Sequence, residues 1–89
     1  MDVVFRPSAA KHRISPERAR HVVAHCVRPL YVDASRGQVV LFLGPDPDPG
    51  RVPLEVGAVE REDGAYVVIH AMRLRRSYGA AYAEEMRCR

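Results

Sequence analysis

Tyr66-Val67-Val68-Ile69-His70-Ala71-Met72-Arg73-Leu74-Arg75-Arg76-Ser77-Tyr78 places an imidazole, three guanidinium groups and a phenol at the end of an apolar, β-branched run. The first half reads as a buried strand and the second as the start of a helix. Guanidinium is the best partner for phosphate, and a phenol ring can stack on a base, so this set suits a polyanion. Arg73 and Arg76, three apart at the head of a helix, would share a face with its free amides and meet a phosphate there. Tyr78 would complete the site. Lys11, His12 and Arg13 supply further groups able to contact phosphate, and Arg75 belongs to the same basic cluster.

A carboxylate–imidazole pair follows from register. Asp63-Gly64 is a hairpin signal. A two-residue loop sets Glu62 against Ala65, Ala58 against Ile69, Gly57 against His70, Val56 against Ala71 and Glu55 against Met72. Glu55 and His70 then become diagonal neighbours about 7–8 Å apart in backbone, close enough for carboxylate and imidazole to meet. Glu55 would orient and tune His70 as a general acid or base. A pair that only satisfies itself is the competing reading.

The elements that must position these groups are legible in outline. Val3–Phe5 fits a short edge strand or an arm, and residues 8–13 fit a first short helix. Ser15-Pro16-Glu17 starts a second helix: Ser as N-cap, Pro in the first turn, an early acid. That helix should run to Cys26 and bury Ala19, Val22, Val23 and Cys26, with Arg28-Pro29 ending it. Leu30–Asp33 is a strand, Ala34–Gly37 a turn, and Val39–Leu43 a strand apolar enough to be covered on both faces. The Gly44–Gly50 segment, with three prolines, is a loop. Val52–Arg61 alternates, with Val52, Leu54, Val56 and Ala58 on one face. Leu74, Tyr78, Ala81, Tyr82 and Met86 share a face of the last helix, and Tyr31, Tyr66 and Tyr82 are packing residues. The expected fold is one α+β domain over residues 1–89: two N-terminal helices, a four-stranded antiparallel sheet and a C-terminal helix, helices on one side of the meander.

Composition narrows the chemistry. The formal charge is +3, and 13 of the 14 basic residues are Arg. Residues 1–30 carry six basic groups against two acids, residues 31–72 three against seven, and residues 73–89 five against two. Basic outer segments brought together would form the patch expected for nucleic acid. No run is long and apolar enough for a membrane helix, and Met1–Phe5 lacks the pattern of a secretory signal. Cys26 and Cys88, without CxxC spacing, fit reduced thiols in the cytoplasm. His21 and His25 lack the glutamate of a zinc-protease motif and read as a solvent-facing pair. No phosphate-binding glycine loop, GxSxG or two-metal carboxylate set is present, so neither metal nor cofactor is expected.

Lys11-His12-Arg13-Ile14-Ser15-Pro16-Glu17-Arg18-Ala19 resembles the K-H-G-[IV]-S-x-E-x-A segment of BrnT-like toxins of the RelE-like ribonuclease superfamily. Val68–Met72 through Tyr78 is similar to the R-I-I-S-A-R strand and tyrosine-bearing helix of that family. Arg13 stands where the family has Gly, His70 where it has Ser, and Met72 where it has Arg, and the glutamate before the helix tyrosine is missing. The resemblance implies a type II toxin that cleaves RNA and is neutralised by a cognate antitoxin, acidic or ribbon-helix-helix, through which it can oligomerise. Met72 can carry no catalytic role. Proton transfer would fall to His70 or His12, and phosphate stabilisation to Arg73, Arg76 and Lys11, without metal. The competing function is a non-catalytic basic module that binds nucleic acid or an acidic protein.

Overall fold

The computed structural model describes residues 3–34 and 37–89. Its strands are β1 (Val3–Phe5), β2 (Leu30–Ala34), β3 (Gly37–Gly44), β4 (Leu54–Glu60) and β5 (Tyr66–Arg73). The helices are α1 (Pro16–His25) and α2 (Gly79–Arg87), with 3-10 turns at Pro7–Ala10 and Arg76–Tyr78. The sheet has five strands in the order β1-β5-β4-β3-β2. β2 to β5 form the expected antiparallel meander, but β1 pairs with β5 in parallel, so the sheet is mixed. The expectation of two N-terminal helices and four antiparallel strands is therefore corrected. Pro7 at the head of the first turn and Arg13 in left-handed backbone (φ 59°) confine that segment to a 3-10 turn.

The helices do not share a side. Ala19, Val22 and Val23 of α1 pack with Val40, Phe42, Leu54, Val56 and Ala58. Tyr78, Ala81 and Tyr82 pack with the alternate residues Val39, Leu41 and Leu43. Successive strand residues point to opposite faces, so α1 covers one face and α2 the other. The continuously apolar β3 required cover on both faces, and a one-sided arrangement could not supply it. Ser15 caps α1 as expected, its hydroxyl accepting from the Arg18 amide at 3.3 Å. In α2 the inward position after Tyr82 belongs to Glu85, 0% exposed, while Met86 is 39% exposed. Tyr31 is also exposed and not a packing residue.

The turn expected over Ala34–Gly37 includes Ser35 and Arg36, which lie outside the described residues. Among the described residues no helix is long and apolar enough to cross a membrane.

Candidate functional site

The β4–β5 hairpin departs from the two-residue loop, and a second departure cancels the first. Arg61 N–H donates to Ala65 O at 2.8 Å, so the loop holds Glu62, Asp63 and Gly64, with Gly64 at φ 86°. That places Glu60 opposite Tyr66 and Ala58 opposite Val68, not Ile69. A bulge then inserts one extra residue on β5, and beyond it Gly57 faces His70, Val56 faces Ala71 and Glu55 faces Met72, as the register argument expected. Val68 and Ala71 both join the α1-side core, whereas Ile69 packs on the α2 side and the His70 ring lies over Gly57. The bulge thus gives Ile69 and His70 the same face. Its carbonyl is held from outside the sheet, where Ser8 Oγ donates to Ile69 O at 3.0 Å.

Glu55 is 0% exposed beside this bulge. Arg75 grips its carboxylate three ways: backbone N–H at 2.8 Å, Nε at 3.0 Å and Nη2 at 2.8 Å. The Arg75 guanidinium also lies 5.3 Å from the Tyr78 ring centre, over its face. Burial works to raise the Glu55 pKa, but the hydrogen bonds and charge of Arg75, with help from His70, outweigh it and hold the carboxyl below its usual value. Glu55 is therefore a fixed anion and a poor proton acceptor. Its place is to orient a neighbour.

That neighbour is His70, whose Nε2 lies 3.5 Å from Glu55 Oε2. At this distance the contact is electrostatic and not a hydrogen bond, and Nε2 is buried without a hydrogen-bond partner. Burial lowers the His70 pKa. Glu55 pulls upward, while Arg75 and His12 push down with the burial. The ring is thus neutral at pH 7. A proton on Nε2, facing the carboxylate, leaves Nδ1 as the basic nitrogen.

Removing one partner of the Glu55–Arg75 pair has unequal consequences. Arg75→Ala leaves a buried carboxylate without its counter-ion and lowers stability by about 1–2 kcal/mol, discounted because the Arg75 side chain is 49% exposed. Glu55→Gln leaves a guanidinium that can turn to water, and costs less. Urea unfolding of both variants checks the order, and equal losses would contradict it.

The remaining expected residues fall elsewhere. Arg73 is the last residue of β5, not the first of a helix. It pairs with Leu54 and so belongs to the α1 face, across the sheet from His70. Arg76 opens the 3-10 turn, and α2 begins only at Gly79, so Arg73 and Arg76 share no helix face. The extended Arg75 separates them. Arg76 and Lys11 are exposed. Tyr78 packs into the α2-side core under Arg75.

His12, Arg13 and Arg73 instead line a cleft of about 620 Å³ on the α1 side, together with Arg18, Asp46 and Arg51. Met72 lines it too, so the cleft reaches the β5 edge near His70. Arg18 is spoken for: its Nε donates to Asp46 Oδ1 at 3.0 Å and its Nη2 pairs with Oδ2. Arg51 holds Asp48 at 2.9 Å, an exposed pair. Arg13 and Arg73 have no ion-pair partner among the described residues. Sequence reasoning missed Arg18, Asp46 and Arg51 as parts of this cleft. Their pairing spans the proline loop and α1, which no local pattern signals.

His21 and His25 are exposed and stacked at 4.0 Å, with His25 Nδ1 meeting the His21 carbonyl at 2.8 Å. Among the described residues no group of three or more His, Cys, Asp or Glu side chains is placed to hold a metal ion.

Comparison of the chain with family models, with curated proteins and with solved structures found no match.

Proposed function

We propose that this chain is the toxin of a type II toxin–antitoxin pair, a cytoplasmic ribonuclease that cuts RNA without a metal ion. One observation carries the reading: the His70 ring, its Nε2 facing a buried, Arg75-locked carboxylate, within one strand edge of an arginine-lined cleft. The likeness of residues 11–19 to the BrnT-like segment supports the toxin half of the proposal.

RNA cleavage by its own 2′-hydroxyl needs a base for that hydroxyl, positive charge at the phosphorane and an acid for the leaving oxygen. His70 Nδ1 takes the proton of the 2′-hydroxyl, and Glu55 stabilises the imidazolium that forms. His12, on the cleft side of the same strand edge, can return a proton to the leaving oxygen. The cation on His70's own face is Arg75, 49% exposed although paired with Glu55, so its outward edge supplies charge at the phosphorane, while Arg73 and Arg13, across the sheet, hold the strand at a neighbouring phosphate.

His70→Ala should slow cleavage of a mixed-sequence RNA by at least about 10²-fold, the usual worth of a positioned acid or base. It should also relieve growth arrest on expression. The active form of His70 is neutral and its pKa lies below 6.5, so the rate should be flat near pH 7 and fall as the pH drops below 6.5. Undiminished cutting by the variant would dispose of the assignment.

A second reading draws on a separate observation. The guanidinium groups of the cleft lie on the opposite face from His70. A module that binds nucleic acid without cutting it needs the cleft alone. Such a module would protect RNA from added nuclease and leave its length unchanged. The antitoxin partner belongs to the first reading.

A further inference from the structure

The cleft beside α1 has two kinds of wall. Arg13, Arg73 and the exposed Arg51 supply its cations. Ile14, Val52 and Met72 offer partly exposed apolar surface, over the buried Leu54. Its volume of about 620 Å³ falls within the range that holds a small ligand. Two cations are unspent: Arg18 is neutralised by Asp46, but Arg13 and Arg73 have no such partner among the described residues. Arg51 is held only by an exposed pair, which is weak, so it can turn to an incoming anion.

Arg13 adds an independent sign. It sits at φ 59°, a left-handed backbone that glycine adopts freely and a branched or long side chain adopts at a cost. Its amide closes a turn on Ala10 O at 3.0 Å, which fixes that conformation. An arginine kept where glycine fits better is a local strain with a use, and its place on the cleft wall supplies one.

We infer that this cleft seats one nucleotide unit of a single strand, its phosphate between Arg13 and Arg73 and its base against Ile14, Val52 and Met72. The inference deepens the nucleic-acid reading by giving the strand a seat on the α1 face. The strand then crosses the β5 edge at His12 to bring the next linkage toward His70.

The test uses the whole chain, with adenosine 5′-monophosphate and inorganic phosphate as probes and amide chemical shifts as the readout. Adenosine monophosphate should saturate shifts at Arg13, Val52 and Arg73 in the low-millimolar range or below, about −3 to −4 kcal/mol as a binding free energy. Amides of Ala81 and Tyr82 should stay still. Inorganic phosphate, lacking the base, should bind at least about tenfold more weakly.

Arg13→Gly should weaken nucleotide binding at least about fivefold while leaving Tm unchanged or higher, because the strain goes with the side chain. Arg73→Ala should show a similar loss of affinity. Equal affinity for phosphate and the nucleotide, undiminished binding in both variants, or shifts confined to α2 would each overturn the inference. Its failure is separable from failure of the ribonuclease reading. RNA cutting without nucleotide binding in the cleft sinks only the seat, and binding without cutting sinks only the catalysis.

Discussion

Glu85→Ala should lower stability at pH 7 by about 3 kcal/mol and Tm by roughly 12–24 °C for a domain of this size. Glu85 is 0% exposed, and its carboxylate binds a segment far from it in sequence. Val27 N–H donates to Oε2 at 2.9 Å, Arg28 N–H to Oε1 at 2.6 Å, and Cys26 Sγ lies 3.2 Å from Oε1. Arg89 Nε adds a fourth contact at 2.8 Å. Alanine strands two backbone donors just past the end of α1 and loosens α2 from the sheet. Such domains hold only about 5–15 kcal/mol in all, so the loss is a large share.

Acid provides the control for that prediction. Burial works to raise the Glu85 pKa, yet the donors of Val27, Arg89, Arg28 and Cys26 outweigh it and hold it at about 2 against an ordinary 4.5. A depressed carboxyl contributes stability above its unfolded value and loses it as pH falls toward the folded one. The gap between parent and variant should therefore be full above pH 4.5 and shrink between 4.5 and 2. Urea unfolding at pH 7 and pH 3 measures both gaps. A difference below about 1 kcal/mol at pH 7, or one that does not shrink in acid, would show that the carboxylate is not the tie.

Gly57→Ala should be the second severe change, and His70→Ala should suppress it. A methyl at position 57 would stand 2.7 Å from His70 Nδ1, closer than carbon and nitrogen can approach, and a tight 3.0 Å from Nε2. Both residues lie in the sheet, so relief requires the ring to swing from Glu55 or the strands to part. Overpacking of this kind costs about 1–3 kcal/mol. With alanine at 70 the space is empty, and the same substitution should cost under about 0.5 kcal/mol. Urea unfolding of the parent, both single variants and the double variant gives the coupling. Costs that simply add would mean that the ring does not rest on Gly57. The displaced imidazole should also cost Gly57→Ala most of any RNA cleavage.

The same pair shows what could and could not be read from residue order. Gly57 opposite His70 was legible, but for a partly mistaken reason. The loop is one residue longer than Asp63-Gly64 alone implies, and the bulge near Ile69 restores the count. Neither departure shows in alternation, because Val67 to Ile69 is apolar throughout. α1 was legible to within a residue because its cap, its proline and its buried stripe agree.

β1 was only half legible. Three residues carry no period, and its parallel partner lies beyond α1 and three other strands. The basic cluster misled more seriously. Arg73 to Tyr78 looks like the head of a helix, yet Leu74 N–H donates to Pro53 O at 2.9 Å and continues the sheet ladder. Arg75 was therefore the residue to pair with Glu55, and Arg73 passed to the other face. Glu85 had a signal: it sits three and four places beyond Tyr82 and Ala81, on the inward stripe. A lone acid there outweighs a neighbouring methionine only when backbone donors await it.

The parallel pairing of Val3 with Tyr66 sets an order of assembly. A meander of neighbouring strands closes early, because each hairpin joins residues near in sequence. β1 must wait for β5, and the closure spans most of the polypeptide, which is the slow kind. Only when it docks does Ser8 reach the carbonyl of Ile69. The nascent molecule therefore gains a hydrophobic core before Ser8 can fix the carbonyl at the bulge beside His70.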